Sequence, residues 1–144
     1  MVDIQFQAGR LTPEEQAVVD AGFDRHCHAR SAPAFDKVSF TWSIRDGQAL
    51  IGVLTADLLW DWLYVDELWV DERYRGQGWG KTLMERAEDY AVSQQLVGLW
   101  LWTQSWQAAD FYQRLGYQEF ARFEDFPRGH SRIGFRKHFI GGVR

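Results

Sequence analysis

Seven consecutive residues, Arg75-Gly76-Gln77-Gly78-Trp79-Gly80-Lys81, place three alternating glycines directly before a segment with helical periodicity. Glycines at the start of a helix leave successive backbone N–H groups uncovered at the positive end of the helix dipole, where a phosphate or pyrophosphate group binds. A side chain at these positions would keep the anion away from the amides. The sequence therefore predicts that this segment, which we call the glycine loop, binds a phosphorylated ligand.

The spacing of the loop glycines distinguishes between three kinds of phosphate-binding loop. A Walker loop requires a glycine six residues before its lysine, but Arg75 occupies that position relative to Lys81. A dinucleotide-binding fingerprint that begins at Gly76 requires a further glycine at the position of Lys81. Both patterns are therefore excluded. The third pattern, Arg/Gln-x-x-Gly-x-Gly/Ala, is satisfied by Arg75, Gly78 and Gly80.

A second segment, Phe111-Tyr112-Gln113-Arg114-Leu115-Gly116-Tyr117, carries a tyrosine in a short predicted helix and a glycine that ends it. Together with the glycine loop it resembles the GNAT superfamily of acyl-CoA-dependent N-acetyltransferases. The resemblance follows the order of elements over nearly the whole chain and is sharpest across residues 68–83 and 105–117. It implies that the loop amides bind the pyrophosphate of acetyl-CoA and that the backbone of residues 68–70 pairs with its pantetheine arm like an added strand. The cofactor-binding residues that the resemblance implies are Leu68, Trp69, Val70, Arg75, Gly76, Gln77, Gly78, Trp79, Gly80, Lys81 and Ser105.

The resemblance also implies that Tyr112 points at the thioester sulfur. A tyrosine with a pKa near 10 is a weaker acid than a thiol with a pKa near 8.5, so proton transfer to the departing thiolate would cost roughly 2 kcal/mol. We therefore expect Tyr112 to donate a hydrogen bond to the thiolate, with full proton transfer as the alternative. Two structural interpretations stay open: Tyr112 as a core residue beside Phe111, and the glycine loop as a plain strand-to-helix turn.

The acceptor amine of such a reaction must lose a proton before it attacks. An amine with the pKa of lysine, near 10.4, is protonated at neutral pH, and removal of its proton costs roughly 4 to 5 kcal/mol. Asp66 and Glu67 are adjacent carboxylates in an otherwise apolar predicted strand, so they are expected to point to opposite faces of the sheet. Glu67 is the first candidate for the base and Asp66 the second, acting directly or through water. The alternative is a carboxylate satisfied by a β-bulge or a basic neighbour.

Two further positions near the second segment bear on the site. Many members of the superfamily have asparagine seven residues before the tyrosine, in contact with the pantetheine region, whereas this chain has Ser105. Serine donates a similar hydrogen bond from a shorter side chain, so the placement of the acyl chain is expected to differ. The turn Phe126-Pro127-Arg128-Gly129-His130 offers His130 either as a residue of the acceptor pocket or as a solvated or structural histidine.

The N-terminal elements follow from capping and hydrophobic periodicity. A short strand is predicted over residues 4–7. Thr12, Pro13 and Glu15 then mark the start of a helix that runs towards His28.

The remaining elements form a sheet with two more helices. Six strands are predicted over residues 38–44, 49–58, 63–70, 97–103, 117–123 and 133–139. One helix runs from the glycine loop to about Gln95, and another runs from about Trp106 to Leu115, where Gly116 ends it in a left-handed cap. The sum is one α/β domain over residues 1–144, with a mixed, mostly antiparallel sheet of about six to seven strands flanked by helices, a GNAT-like acyl-CoA N-acyltransferase fold.

Composition argues against several classes of function. The net charge of −4 disfavours nucleic-acid binding, because phosphate contacts need clustered lysine and arginine. No signal peptide and no apolar run long enough to cross a membrane are visible, which predicts a cytoplasmic protein. His26 and His28 diverge on a helix, so no metal site is expected there, and the single cysteine, Cys27, lies outside both motifs and is given no catalytic role.

The sequence thus predicts an N-acetyltransferase that moves the acetyl group of acetyl-CoA to a primary amine by direct attack, without an acyl-enzyme and without a metal. A small-molecule amine is the favoured acceptor. The first alternative is acetylation of protein N-termini or lysines, and the second is a CoA-binding module with little catalysis. Pairing through the sheet edge or the C-terminal strands would give a homodimer, and nothing in the sequence decides this.

Overall fold

A computed structural model describes residues 1–139 of the chain, which divides into two compact units after Asp36. The first unit contains one helix, α1 (Pro13–Ala29). Its start is a complete capping box: Thr12 Oγ1 accepts from the Glu15 N–H at 3.2 Å, and Glu15 Oε2 accepts from the Thr12 N–H at 2.8 Å. The predicted strand over residues 4–7 was wrong, because a strand needs a hydrogen-bonded neighbour and this unit contains no second strand.

The second unit is built on a mixed sheet. Its strands are β1 (Val38–Asp46), β2 (Ala49–Leu59), β3 (Trp62–Val70), β4 (Gly98–Gln104), β5 (Gln118–Glu124) and β6 (Ser131–His138), and its helices are α2 (Trp79–Ser93) and α3 (Ala109–Arg114). A single 3-10 turn, Glu72–Tyr74, precedes the glycine loop. The sheet order is β1-β2-β3-β4-β6-β5, and only β3 and β4 pair in parallel. The predicted mixed, mostly antiparallel α/β fold is therefore confirmed, with six strands in residues 1–139.

The core lies between one face of this sheet and α2. Leu83, Met84, Ala87 and Ala91 recur on one side of α2 and are almost fully buried. They pack against the inward residues of the central strands, among them Leu63 of β3. Since burial of a large apolar side chain stabilises the fold by roughly 1.5 to 3 kcal/mol, this layer fixes α2, and with it the glycine loop, against the sheet.

Helix α3 is shorter than predicted at its N-terminal end. Gln107 occupies a turn instead, in which its N–H donates to the Gln104 carbonyl at 2.9 Å and its Oε1 accepts from the Gln104 N–H at 3.2 Å. The C-terminal end is as predicted: Gly116 has φ +93°, and the Tyr117 N–H donates back to the Tyr112 carbonyl at 3.0 Å. In residues 1–139 we find no helix that combines the length and the apolar character required to cross a membrane.

Candidate active site

Strands β3 and β4 separate at the centre of the sheet. Their parallel pairing runs from Trp62 opposite Gly98 to Val65 opposite Leu101, although both strands continue beyond that point. A cavity of about 730 Å³ opens between the diverging ends. Its lining is Val65, Asp66, Glu67, Leu68, Trp69, Val70, Arg75, Leu101, Trp102, Thr103, Trp106, Gln107, Ala108 and Tyr112. The volume is that of a typical ligand site.

A β-bulge at Asp66 causes the divergence. On β2, Thr55 lies opposite Glu67 and Ala56 lies opposite Val65, so Asp66 is an extra residue without a partner in the register. An extra residue bends its strand and increases the local twist, which carries the end of β3 away from β4.

The bulge also shifts which side chains face the core. Val65 is buried before the bulge, whereas Leu68 and Val70 pack against the core after it, so the alternation slips by one position. Asp66 and Glu67 are both exposed, and both line the cavity. The expectation that they separate onto opposite faces assumed a regular strand, and the bulge removes that regularity.

The glycine loop connects the end of β3 to the start of α2. Gly76 and Gly78 have φ +75° and +88°, which glycine adopts at little cost, and a Cβ added to either would meet no atom within 4 Å. Gly78 is the N-cap of α2 and offers no side-chain oxygen to the first N–H groups of the helix. Arg75 Nε donates to the Val70 carbonyl at 2.9 Å and ties the loop to β3. The first turn of α2 thus presents unsatisfied donors to open space.

A packing contact brings the two predicted motifs together. A Cβ on Gly80 would lie in ordinary contact, 3.5 Å, with the Phe111 ring, so α3 packs against the first turn of α2 at this position. Lys81 points elsewhere on the surface, where its Nζ lies 3.9 Å from Glu85 Oε1.

Tyr112 is buried at the wall of the cavity. Its ring lies against those of Phe111, Tyr117 and Phe135, with centroid distances of 5.1, 6.0 and 6.0 Å, and 6% of the residue is exposed. Burial raises the pKa of Tyr112 to about 12. The hydroxyl therefore keeps its proton at neutral pH and is available as a hydrogen-bond donor.

The two carboxylates have different surroundings. Glu67 Oε1 accepts a hydrogen bond of 3.1 Å from Thr55 Oγ1 on the neighbouring strand. Asp66 lies near Tyr64: burial and then the Asp66 charge raise the pKa of that tyrosine, while Arg132 lowers it. One carboxylate is therefore fixed by a strand neighbour, and the other stands beside an aromatic side chain.

Ser105 and His130 lie outside the cavity lining. Ser105 Oγ accepts from the Ser131 N–H at 3.0 Å, and the Ser105 N–H donates to the Ser131 carbonyl at 2.8 Å, so this residue ties the end of β4 to the start of β6. The His130 ring packs edge-on against Trp106, with the centroids 4.7 Å apart. Trp106 itself lines the cavity, so His130 contacts a residue of the cavity wall without lining the cavity.

Sequence reasoning missed Gln107 as part of the site. Its Oε1 lies 3.4 Å from Thr103 Oγ1, and both residues line the cavity. No motif marks Gln107, because its place depends on the turn that shortens α3. The sequence placed Gln107 inside the helix predicted from about Trp106 to Leu115, so it gave no signal for this role.

Comparison with known proteins identifies similar chains. The model of the acetyltransferase (GNAT) family matches residues 7–117. Blasticidin-S acetyltransferase of Streptomyces morookaense is 39% identical over 94 residues, which cover 65% of this chain and 69% of that protein. Acetyltransferase Atu2258 of Agrobacterium fabrum is 30% identical over 105 residues, or 72% of this chain and 77% of that protein. The crystal structure of an acetyltransferase from Bacillus cereus superposes with a TM-score of 0.77 at 25% identity, covering 93% of this chain and 98% of that one.

Proposed function

The chain belongs to the GNAT family of acetyltransferases, as the sequence resemblance predicted, and we propose that it transfers the acetyl group of acetyl-CoA to a primary amine of a small molecule. The observation that carries this proposal is the cavity between β3 and β4. It has Arg75 of the glycine loop and Tyr112 in its wall, together with the carboxylates Asp66 and Glu67. A donor for a departing thiolate and two candidate bases thus lie in one cleft, and Arg75 connects this cleft to the glycine loop, whose residues 76–81 lie outside its lining.

The proposed place of acetyl-CoA follows from the backbone of β3. Beyond the bulge, Leu68, Trp69 and Val70 stay paired with β2 on one edge, while on the other edge the pairing with β4 has ended at Val65. Their free edge offers backbone groups to the amides of the pantetheine arm, as in the addition of a strand to a sheet. The pyrophosphate then binds the amides of residues 75–81, with charge from Arg75.

The proposed reaction is a direct attack. The amine nitrogen attacks the thioester carbonyl carbon, the C–S bond breaks, and its electron pair leaves on the sulfur. Tyr112 donates a hydrogen bond to that sulfur. Full proton transfer from a tyrosine with a pKa of about 12 to a thiolate whose acid has a pKa near 8.5 would be uphill by roughly 5 kcal/mol, which favours hydrogen bonding over general acid catalysis.

Glu67 is the proposed base, acting directly or through a water molecule, and Asp66 is the second candidate. The hydrogen bond from Thr55 Oγ1 fixes Glu67 at the cavity wall. We expect Glu67→Gln to lower kcat at neutral pH by about 10²-fold, since the glutamine keeps an acceptor for Thr55 but takes no proton. The loss should shrink as the pH approaches the pKa of the amine, because free amine then needs no base.

Asp66→Asn is the matched control for this experiment, since it removes the neighbouring carboxylate at the bulge. We expect it to change kcat much less than Glu67→Gln when both are measured in a kcat profile against pH. The reverse order of effects would assign the base to Asp66, and parent activity in both variants would exclude a carboxylate base.

The small-molecule acceptor is supported by the relative named blasticidin-S acetyltransferase. The exposed carboxylates at the bulge also favour a cationic acceptor over a neutral one. Release of CoA thiol should be measured with acetyl-CoA against two panels, one of small amines that includes blasticidin S and polyamines, and one of peptides with free N-termini or lysines. We expect turnover with small amines.

Turnover confined to the peptides would support the protein acetyltransferase instead. If the protein binds acetyl-CoA but acetylates neither panel, the result would support the alternative of a CoA-binding module with little catalysis. Each alternative therefore gives a different result in the same assay.

A further inference from the structure

Lys137 of β6 makes a buried junction between the two helices that carry the predicted motifs. Its Nζ donates to the Leu115 carbonyl at 2.8 Å and to the two carboxylate oxygens of Glu88 at 3.1 and 3.3 Å. Leu115 is the C-cap of α3, and Glu88 lies on α2 with 3% of the residue exposed. The three N–H groups of one ammonium are therefore matched by three acceptors on two helices.

Helix α3 packs on the core through Phe111, Tyr112 and Leu115, and its own backbone adds little to hold it. It has six residues, its N-cap Ala108 makes no side-chain hydrogen bond, and a helix this short is marginal without tertiary contacts. Tyr112 lies on this helix, one turn before the carbonyl that Lys137 holds. The ammonium also complements the negative end of the helix dipole.

The turn after α3 is shaped around the same side chain. Gly116 adopts φ +93°, and a Cβ there would lie 3.6 Å from Lys137 Nζ. The ammonium lies 5.5 Å from the centroid of the Tyr117 ring, which itself contacts Tyr112 at 6.0 Å. The lysine therefore touches both the end of the helix and the aromatic neighbour of the proposed catalytic hydroxyl.

The hydrogen bonds of Lys137 to Glu88 and to the Leu115 carbonyl connect the two helices that border the proposed cofactor site. Helix α2 begins at the glycine loop and carries Glu88 further along, while α3 meets the start of α2 where Phe111 packs on Gly80. Contact at Gly80 and the hydrogen bonds at Glu88 fix α3 against α2 at two separate points. We propose that Lys137 is a positioning residue for acetyl transfer, which sets the place of the Tyr112 hydroxyl relative to the glycine loop. This inference rests on the proposed role of Tyr112.

The test uses variants of the full chain. Lys137→Met alone leaves the Glu88 carboxylate buried without its cation, which destabilises the fold. Glu88→Leu/Lys137→Met replaces the pair by apolar side chains of similar size and removes the hydrogen bond to Leu115. Arg136→Met is the matched control, because it removes an exposed cation from the next position of β6, where the guanidinium lies over the Phe120 ring at 5.7 Å.

We expect the double variant to be folded by circular dichroism and to bind acetyl-CoA like the parent, with kcat lower by about tenfold or more. Hydrogen exchange of the amides of residues 115–117 should be faster, since the end of α3 has lost its anchor. Arg136→Met should change none of these quantities. The inference would be overturned if the double variant folds and keeps the kcat of the parent. It would also be overturned if kcat and the affinity for acetyl-CoA fall by the same factor.

The two proposals fail in different ways. A parent chain that turns over no amine contradicts the proposed function. In that case the inference about Lys137 is tested by hydrogen exchange alone. Unchanged exchange at residues 115–117 in the double variant would show that Lys137 does not hold α3.

Discussion

Gly78→Val is expected to lower the affinity for acetyl-CoA by about 10²-fold or more, because the loss of two hydrogen bonds to a charged phosphate costs roughly 1.5 to 3 kcal/mol each. Gly78 is the N-cap of α2 at φ +88°, and the space above it is open. A branched side chain there would occupy the proposed place of the pyrophosphate and strain the left-handed backbone. Isothermal titration calorimetry with acetyl-CoA measures the effect.

Gly47→Val is the control that distinguishes the effect of backbone strain from the effect of blocking the proposed pyrophosphate position in Gly78→Val. Gly47 has φ +60° in the turn between β1 and β2, and a Cβ there also meets no atom within 4 Å. The control variant therefore carries comparable backbone strain but adds no side chain at the start of α2. We expect it to be destabilised but to bind acetyl-CoA. Parent affinity in Gly78→Val would refute the assignment of the glycine loop.

Tyr112→Phe is expected to lower kcat by about 10² to 10³-fold with little change in the affinity for acetyl-CoA, since in the proposed mechanism the hydroxyl acts on charge that develops only as the thiolate departs. The ring packs against Phe135 and Tyr117, and phenylalanine preserves these contacts. Steady-state kinetics and calorimetry on the same preparation measure the two quantities. Tyr90→Phe, on the core-facing side of α2 beside Phe40, is the matched control.

The pH dependence follows from the burial of Tyr112. Because burial raises its pKa to about 12, the hydroxyl keeps its proton across the neutral and mildly alkaline range. The parent kcat should therefore rise with pH as the amine loses its proton, without an alkaline decline from Tyr112 in that range.

Unchanged turnover in Tyr112→Phe would remove this residue from the mechanism.

The sequence predicted those parts of the fold that depend on local signals. The capping box at Thr12, the turn at Gly47 and the left-handed cap at Gly116 each need only a few neighbouring residues of the right type, and the structure has all three. Strand patterns bounded by turn signals, and one nearly continuous apolar run, likewise located six strands close to their observed bounds. The strand predicted from the local pattern over residues 4–7 was wrong. A strand requires a hydrogen-bonded partner, and a local pattern does not show whether one is present.

The parts of the candidate site that the sequence did not predict depend on distant residues. The register slip at Asp66 exists only in the pairing between β2 and β3, and the shape of the cavity, though not its place between the third and fourth strands, depends on the turn of β3 away from β4. Gln107 reaches the cavity wall through a turn, and Lys137 meets Glu88 across 49 positions of sequence. The glycine loop therefore predicts a phosphate site from local sequence alone, whereas the shape of the cleft depends on the whole fold.

A crystal structure of the protein with CoA tests the central claim most directly. The account predicts the pyrophosphate on the backbone amides of residues 76–80, the pantetheine arm along the free edge of Leu68, Trp69 and Val70, and the sulfur within hydrogen-bonding reach of Tyr112 Oη. A CoA molecule bound outside the cavity between β3 and β4, or a sulfur remote from Tyr112, would contradict it.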